Sequence, residues 1–268
     1  MRRCEPSAAS GSALSISQGR STGSHGRTDS SSRLSNGRIV KKLILSSISY
    51  SWESRQGKVA ALNNLDLELQ SGSPYLICGR SGSGKTTLGL LCAGLLKPDN
   101  GELRFSPESI NSDRIAIVFQ FPEALFLEDS VRKEFESIHG DAADHAAQRW
   151  LNEVGLDYSE LADRLPARLS SAEGRLTAIA FQLSREPALL ILDEPSIGLD
   201  SKHRRELTEC LHNWIDPDRM LIIITHDLAL MRALKGETCI LKEGRVELRT
   251  QTEKLLQNET LLKQYEMI

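Results

Sequence analysis

No apolar run in this 268-residue chain approaches the roughly 20 residues needed to span a bilayer. The longest, Leu88–Leu96 and Met220–Ile224, are too short, which argues against an integral membrane protein. Cysteine is sparse: Cys4, Cys78, Cys92, Cys210 and Cys239 are odd in number, and no two lie closer than 14 residues. That spacing excludes a CxxC metal knuckle or redox motif and suits a reducing compartment. There is little net charge, −3 from 33 basic and 36 acidic side chains, and so no footprint of non-specific nucleic-acid binding. There is no internal repeat. With 40% apolar and 26% charged residues, collagen, coiled coil and a disulfide scaffold are excluded. What remains is a globular protein of one domain or two small ones, long enough to bury a sizeable core.

The average hides an asymmetry. Residues 1–40 hold six Arg and eleven Ser but only Glu5 and Asp29 as acids, a charge of +4 that leaves −7 for the rest. With almost no large apolar side chains, this segment cannot offset its ordering entropy, and it is expected to be a disordered tail outside the fold. Arg- and Ser-rich, acid-poor N-termini resemble organelle transit peptides. A flexible tail or an unused upstream start codon is the alternative. The segment lacks the apolar core of a secretory signal.

From about Val40 the texture changes. Leu43–Trp52, Ala61–Gln70, Pro74–Cys78, Gly101–Phe105 and Arg114–Gln120 read as strands, with Leu65, Leu67 and Leu69 alternating against polar residues. Thr86–Leu96, Ala142–Val154, Leu176–Leu183 and Lys202–Trp214 read as helices, and Thr252–Tyr265 as one Thr-capped helix. Ala188–Leu192 and Met220–Thr225 are dense apolar runs of strand length separated by a helix, which suggests a parallel sheet covered on both faces. Thr238–Leu241 and Val246–Arg249 read as a hairpin.

The strongest local signal is Gly79-Arg80-Ser81-Gly82-Ser83-Gly84-Lys85-Thr86, which fits GxxxxGK[ST] between an apolar strand and a helix. Glycines let the backbone turn tightly, so that several N–H groups point at one phosphate, and the following helix adds its positive end. Lys85 supplies a point charge for the β- and γ-phosphates, and the Thr86 hydroxyl suits Mg²⁺. Far downstream, Ala188–Leu192 runs into Asp193-Glu194. Ionised carboxylates are costly to bury at a strand's end, and Mg²⁺ resolves the conflict. Asp193 is the candidate metal ligand, and Glu194 the group that polarises a water for attack on the γ-phosphate.

With these motifs in order, residues 42–268 resemble the ATP-binding cassette (ABC) ATPases. The resemblance implies an α/β fold: a P-loop NTPase (RecA-like) core with an antiparallel β subdomain and a helical subdomain at about 121–186, all within an ATPase domain over 41–268. It implies ATP and Mg²⁺ as cofactors. Gln120 matches the glutamine that in the family contacts Mg²⁺ and the attacking water. Asp193-Glu194-Pro195 followed by Ser196-Ile197-Gly198-Leu199-Asp200 is similar to the D-loop, and His226 matches the switch histidine. Nucleotide binding is implied for Gly79, Ser81, Gly82, Ser83, Gly84, Lys85, Thr86 and Thr87. An aromatic residue that stacks on adenine is matched by Trp52, with Tyr50 as substitute.

One motif departs from the pattern. The family's LSGGQ reads here Leu169-Ser170-Ser171-Ala172-Glu173. In the family two cassettes pack head to tail, and the signature of one covers the γ-phosphate held by the other, so Ser170, Ser171, Ala172 and Asp200 are the expected trans contacts. Ser170 still offers a hydroxyl. Side chains at Ser171 and Ala172 narrow the approach, and Glu173 brings a negative charge toward a phosphate, an expected handicap for the composite site.

Phe121-Pro122-Glu123-Ala124-Leu125-Phe126 after Gln120, with Val154-Gly155-Leu156 and Arg164-Leu165-Pro166, looks like the energy-coupling-factor and cobalt-type importers of vitamins and metal ions and their plastid relatives. That resemblance implies a peripheral subunit on the cytoplasmic face of a membrane, or in a plastid if the tail is a transit peptide. Its partners would be a membrane subunit and a second cassette, as homodimer or as heterodimer with a standard signature, and no nucleic acid. A soluble ABC ATPase or nucleotide-switched module is the alternative. A small-molecule kinase leaves Gln120, the D-loop and His226 unexplained.

Overall fold

Period-2 alternation builds two sheets. The computed structural model describes residues 41–55, 57–107 and 110–268. The expected N-terminal tail and Cys4 lie outside the described residues. Strands β1 (Lys42–Ser54), β2 (Gly57–Gln70) and β4 (Asn100–Ser106) form an antiparallel sheet in the order β2-β1-β4. Its register sets Leu43 opposite Leu69 and Phe105, and Leu45 opposite Leu67 and Leu103, so one face is apolar.

The second sheet runs β5 (Ile115–Val118), β6 (Leu189–Asp193), β7 (Met220–Ile224), β3 (Pro74–Cys78), β8 (Glu237–Lys242) and β9 (Arg245–Gln251). All neighbours are parallel except the antiparallel β8–β9 hairpin. Alternate residues of its buried strands serve two cores. Leu76, Leu190, Leu192, Leu221 and Ile223 face one, and Ile77, Leu189, Ile191, Ile222 and Ile224 face the other, beneath the antiparallel sheet. Each such side chain contributes about 1.5–3 kcal/mol on burial.

Helix α1 (Lys85–Cys92) follows β3. It stops short of the expected Leu96 because Gly94 turns left-handed at φ 73°, and the N–H groups of Gly94 and Leu95 return to Leu91 and Leu90 carbonyls. Between β5 and β6 the described residues carry helices only: α2 (Val131–His139), α3 (Ala143–Glu153), α4 (Tyr158–Leu161) and α5 (Ser171–Ser184), with short 3₁₀ turns. Helices α6 (Ser201–Trp214) and α7 (Leu228–Leu234) flank β7.

The C-terminal stretch corrects the sequence reading. It is two helices, α8 (Thr252–Leu256) and α9 (Glu259–Gln264), because Asn258 accepts the Leu261 N–H and caps a second start. Thr252 is no cap. It lies inside α8, fully buried, with its hydroxyl 2.8 Å from that of Thr238.

In this strand order, β3 and β6 both flank β7, and all three run parallel. The segments leaving their C-terminal ends therefore emerge side by side, at the edge where parallel sheets hold ligands.

Candidate nucleotide site

The loop leaving β3 is shaped by close backbone approach. A Cβ on Gly79 (φ 139°) would stand 2.2 Å from the Leu241 carbonyl oxygen, and one on Gly84 (φ 101°) 2.4 Å from that of Ala61. Only glycine fits at either position. Lys85 folds back over the loop, its Nζ donating to the carbonyls of Gly79 at 2.7 Å and Arg80 at 2.8 Å. Burial pulls its pKa down, and the negative charges of Glu194 and Asp193 oppose the shift.

Beside the loop, the Thr86 hydroxyl donates to Asp193 Oδ2 at 2.9 Å. Asp193 and Glu194 are both buried. Burial raises the Asp193 pKa, Thr86's hydrogen bond lowers it, and the neighbouring Glu194 charge adds to the rise. A hydroxyl and two crowded carboxylates, with one lysine turned onto carbonyls, form a donor set that a hard divalent cation such as Mg²⁺ fits.

Glu194 sits in the left-handed region at φ 51°, a conformation that costs a non-glycine residue about 1–3 kcal/mol and persists where its surroundings fix it. Here they do. Its N–H donates to the Ile224 carbonyl at 2.8 Å, and its own carbonyl accepts from Arg175 Nη1 at 3.1 Å. The carboxylate is held at both oxygens: Oε1 lies 2.6 Å from His226 Nδ1, and Oε2 accepts from the Thr225 hydroxyl at 3.3 Å. Thr225 in turn accepts the Asp227 N–H at 3.0 Å, and Asp227 accepts the Ser196 hydroxyl at 2.7 Å.

A cavity of about 570 Å³ is lined by Trp52, Val59–Ala61, Gly79, Ser81, Gly82, Gly84–Thr87, Gln120, Asp193, Glu194 and His226, whereas Ser83 is buried in the loop and does not line it. That volume is within the range of small-molecule sites. At one end Trp52 is 42% exposed, its indole N–H donating to the Thr87 hydroxyl at 3.1 Å. Tyr50 does not line the cavity. It packs edge-on behind Trp52, with ring centroids 5.1 Å apart.

The signature residues and Asp200 stand outside this cavity. Ser170 and Ser171 are exposed at the head of α5, and Asp200 caps α6 by accepting the His203 N–H at 2.8 Å. The Asp200 pKa is lowered, first by that bond. Glu173 differs from its expected posture. Instead of projecting free charge, its carboxylate accepts the Ser170 N–H at 2.7 Å and two bonds from Arg164, Nη1 at 2.8 Å and Nη2 at 3.3 Å. Its pKa is lowered, by the Ser170 amide first.

Sequence reasoning passed over Arg175, which is 3% exposed and bridges the Gln120 carbonyl at 3.0 Å to that of Glu194. The signal was a lone charge in the apolar stretch of α5, where a guanidinium needs buried acceptors.

Comparison with known proteins follows the same lines. The model of the ABC transporter family matches residues 62–197. The chain is 37% identical over 205 residues to ABC transporter I family member 11, chloroplastic, of Arabidopsis thaliana, covering 69% of this chain and 73% of that protein. It is 32% identical over 194 residues to the energy-coupling factor transporter ATP-binding protein EcfA2 of Thermotoga maritima, covering 69% and 73%. Among solved structures, cbiO1 of Clostridium perfringens, part of the ABC transporter complex cbiONQ, superposes with a TM-score of 0.67 at 27% identity, covering 83% of this chain and 93% of that one. A dimeric ATP-binding cassette bound to ADP and Pi superposes at 0.70 and 23% identity, covering 78% and 98%.

Proposed function

The chain belongs to the ABC transporter family of ATP-binding cassette ATPases, and from that premise we propose that it is the ATP-hydrolysing subunit of an importer of the energy-coupling-factor type, taking up a vitamin or a metal ion. The observation that carries the reading is the convergence of Thr86, Asp193, Glu194 and His226 on one cavity with the phosphate loop.

ATP enters with its base against Trp52 and its phosphates on the loop amides of Gly79–Thr87. Lys85 leaves the Gly79 and Arg80 carbonyls for the phosphate oxygens. Thr86, Asp193 and Gln120 would hold Mg²⁺, which when bound neutralises charge on the phosphates. Glu194, fixed by Thr225 and His226, orients and polarises the attacking water, while His226 and Gln120 bear on the γ-phosphate. Two cassettes pair head to tail, a second copy or one with a standard signature. Ser170, Ser171, Ala172 and Asp200 lie outside their own cavity because they serve the other.

The chain works beside a membrane subunit. Among the described residues no helix is long and apolar enough to cross a membrane. Phe121, 70% exposed next to Gln120, and Leu127, 88% exposed, offer the apolar contact for that subunit. On this reading the chain sits at the cytoplasmic face of a membrane, or at the equivalent face inside a plastid.

The test joins two measurements. Glu194→Gln should retain ATP binding and lose Mg²⁺-dependent turnover, and Phe121→Asp should lose co-purification with a membrane subunit while the isolated chain keeps its ATPase activity. Undiminished turnover in the first variant contradicts the catalytic reading. A chain that co-purifies with no membrane protein contradicts the transport reading.

A further inference from the structure

An acid at the third position of α5 has no evident place beside an incoming phosphate. The head of this helix is otherwise built to donate. Ser170 Oγ accepts the Glu173 N–H at 3.2 Å, which leaves its own proton to give. The first-turn amides of Ser171 and Ala172 have no acceptor within the helix, and the helix dipole adds positive potential behind them. An unpaired carboxylate here would offset that potential.

The carboxylate is not unpaired. The Arg164 guanidinium spans both of its oxygens, and the same Nη2 donates to the Arg168 carbonyl at 3.0 Å, which fixes the fork in place. A bidentate pair of this kind is the strong form of a charge-assisted contact. It sits half-buried, with side-chain exposures of 38% and 28%, so solvent screens it only in part.

We infer that Arg164 is a charge-compensating positioning residue: by neutralising Glu173 it lets the head of α5, in a head-to-tail pair of this chain, receive the terminal phosphate of the ATP held by the other copy. The inference rests on the paired-cassette reading above. It also reverses the handicap expected from the glutamate, because the acid and its arginine form a neutral unit that holds Ser170 in place.

The test is a charge cycle on the full chain. ATP-dependent dimerisation is followed by sedimentation in a Glu194→Gln background, and turnover is measured with Glu194 intact. Arg164→Gln should weaken dimerisation and slow turnover about tenfold, through the unscreened Glu173 charge. Affinity for ATP in the chain's own cavity should not change, because Arg164 does not line it. Arg164→Lys, which restores the charge, should recover most of the loss. In a Glu173→Gln chain, Arg164→Gln should have less than about a twofold effect, since no charge is left to compensate.

Arg164→Gln behaving as wild type overturns the inference, as does an equal loss in both backgrounds, which would mark a structural role in the turn before α5. A chain with Arg164 intact that neither hydrolyses ATP nor dimerises with it overturns the self-paired reading itself, and this inference with it.

Discussion

His226 Nδ1 lies 2.6 Å from Glu194 Oε1, although the two residues close different strands and the histidine side chain is 72% exposed while the glutamate is 10% exposed. An exposed ring therefore restrains a buried carboxylate, and anything that displaces the ring leaves that carboxylate held only through Oε2 by Thr225.

Removing that restraint should slow chemistry and spare binding. His226→Ala is expected to lower kcat about 10²-fold, the scale on which positioned acid–base groups act, with KM for ATP within about threefold. Steady-state turnover against ATP concentration separates the two. An equal rise in KM would place His226 in ground-state binding instead.

Arg175 should matter to both stability and rate. Arg175→Met leaves the Gln120 and Glu194 carbonyls short of a donor, at about 1–3 kcal/mol for each buried group unsatisfied. It should also free Glu194 from its left-handed conformation. Lower denaturant midpoint together with a fall in kcat at 20 °C, where the variant remains folded, is the expected pair. Unchanged kcat in the folded variant would confine Arg175 to packing.

Trp52 offers a stacking face at that end of the cavity, where Val59, Ala60 and Ala61 complete the wall and the Thr87 hydroxyl holds the indole N–H. Trp52→Ala should weaken ATP binding about fivefold to tenfold, the equivalent of roughly 1–1.5 kcal/mol, and leave kcat near wild type. Quenching of tryptophan fluorescence on ATP addition that is present in the wild-type chain and lost in Trp52→Ala checks the contact, since Trp150 and Trp214 remain in both.

Glu134 holds the loop after Gln120 from within α2. It is 2% exposed, and one oxygen accepts the N–H groups of Leu127 at 2.5 Å and Glu128 at 2.6 Å. Glu134→Ala should cost about 1–3 kcal/mol through those two amides. Amide hydrogen exchange should rise at Leu127 and Glu128 first. Exchange that rises uniformly instead would argue against a local clamp.

Acid sensitivity should be traceable to His139. Burial holds this imidazole below its usual 6.5, against a weaker pull upward from Glu186, and its Nε2 lies 2.9 Å from the Ser184 hydroxyl. As pH falls, the unfolded chain binds the proton first. The contribution is whole above about 6.5 and is lost as the pH drops through the depressed native value. The fall in Tm between pH 7.5 and 5.5 should be smaller in His139→Gln than in wild type. Equal falls would assign the sensitivity elsewhere.

The sequence was most legible where backbone geometry leaves no choice. Gly79 and Gly84 could be recognised because no other residue fits against Leu241 and Ala61, and the strands could be read because one face of each is uniformly apolar. Boundaries were harder. Gly94 ends α1 within an apolar run, and Asn258 starts a new helix where the pattern of leucines continues unbroken. At the site, Trp52, most of the phosphate loop, Gln120, Asp193, Glu194 and His226 were identifiable from motifs, but Val59–Ala61 were not, and the expected Ser83 and Tyr50 do not line the cavity. Arg175, Thr225 and Asp227 act through hydrogen bonds between segments far apart in the chain. Glu173 carried a different problem: its charge is visible in the sequence, but the Arg164 that answers it, nine residues earlier, is paired with it only by the fold.

Helix α5 carries Ser170 at its head and Arg175 five residues on, a separation of about 7.5 Å along the axis. On the paired reading proposed above, the same rigid rod would meet a neighbour's nucleotide at its tip, and one and a half turns later it grips the Gln120 and Glu194 carbonyls of its own cassette. In a pair, each rod would report the filling of one chamber to the machinery of the other with no long relay between them. The two chambers would then be coupled through a single helix, over a distance set by its pitch.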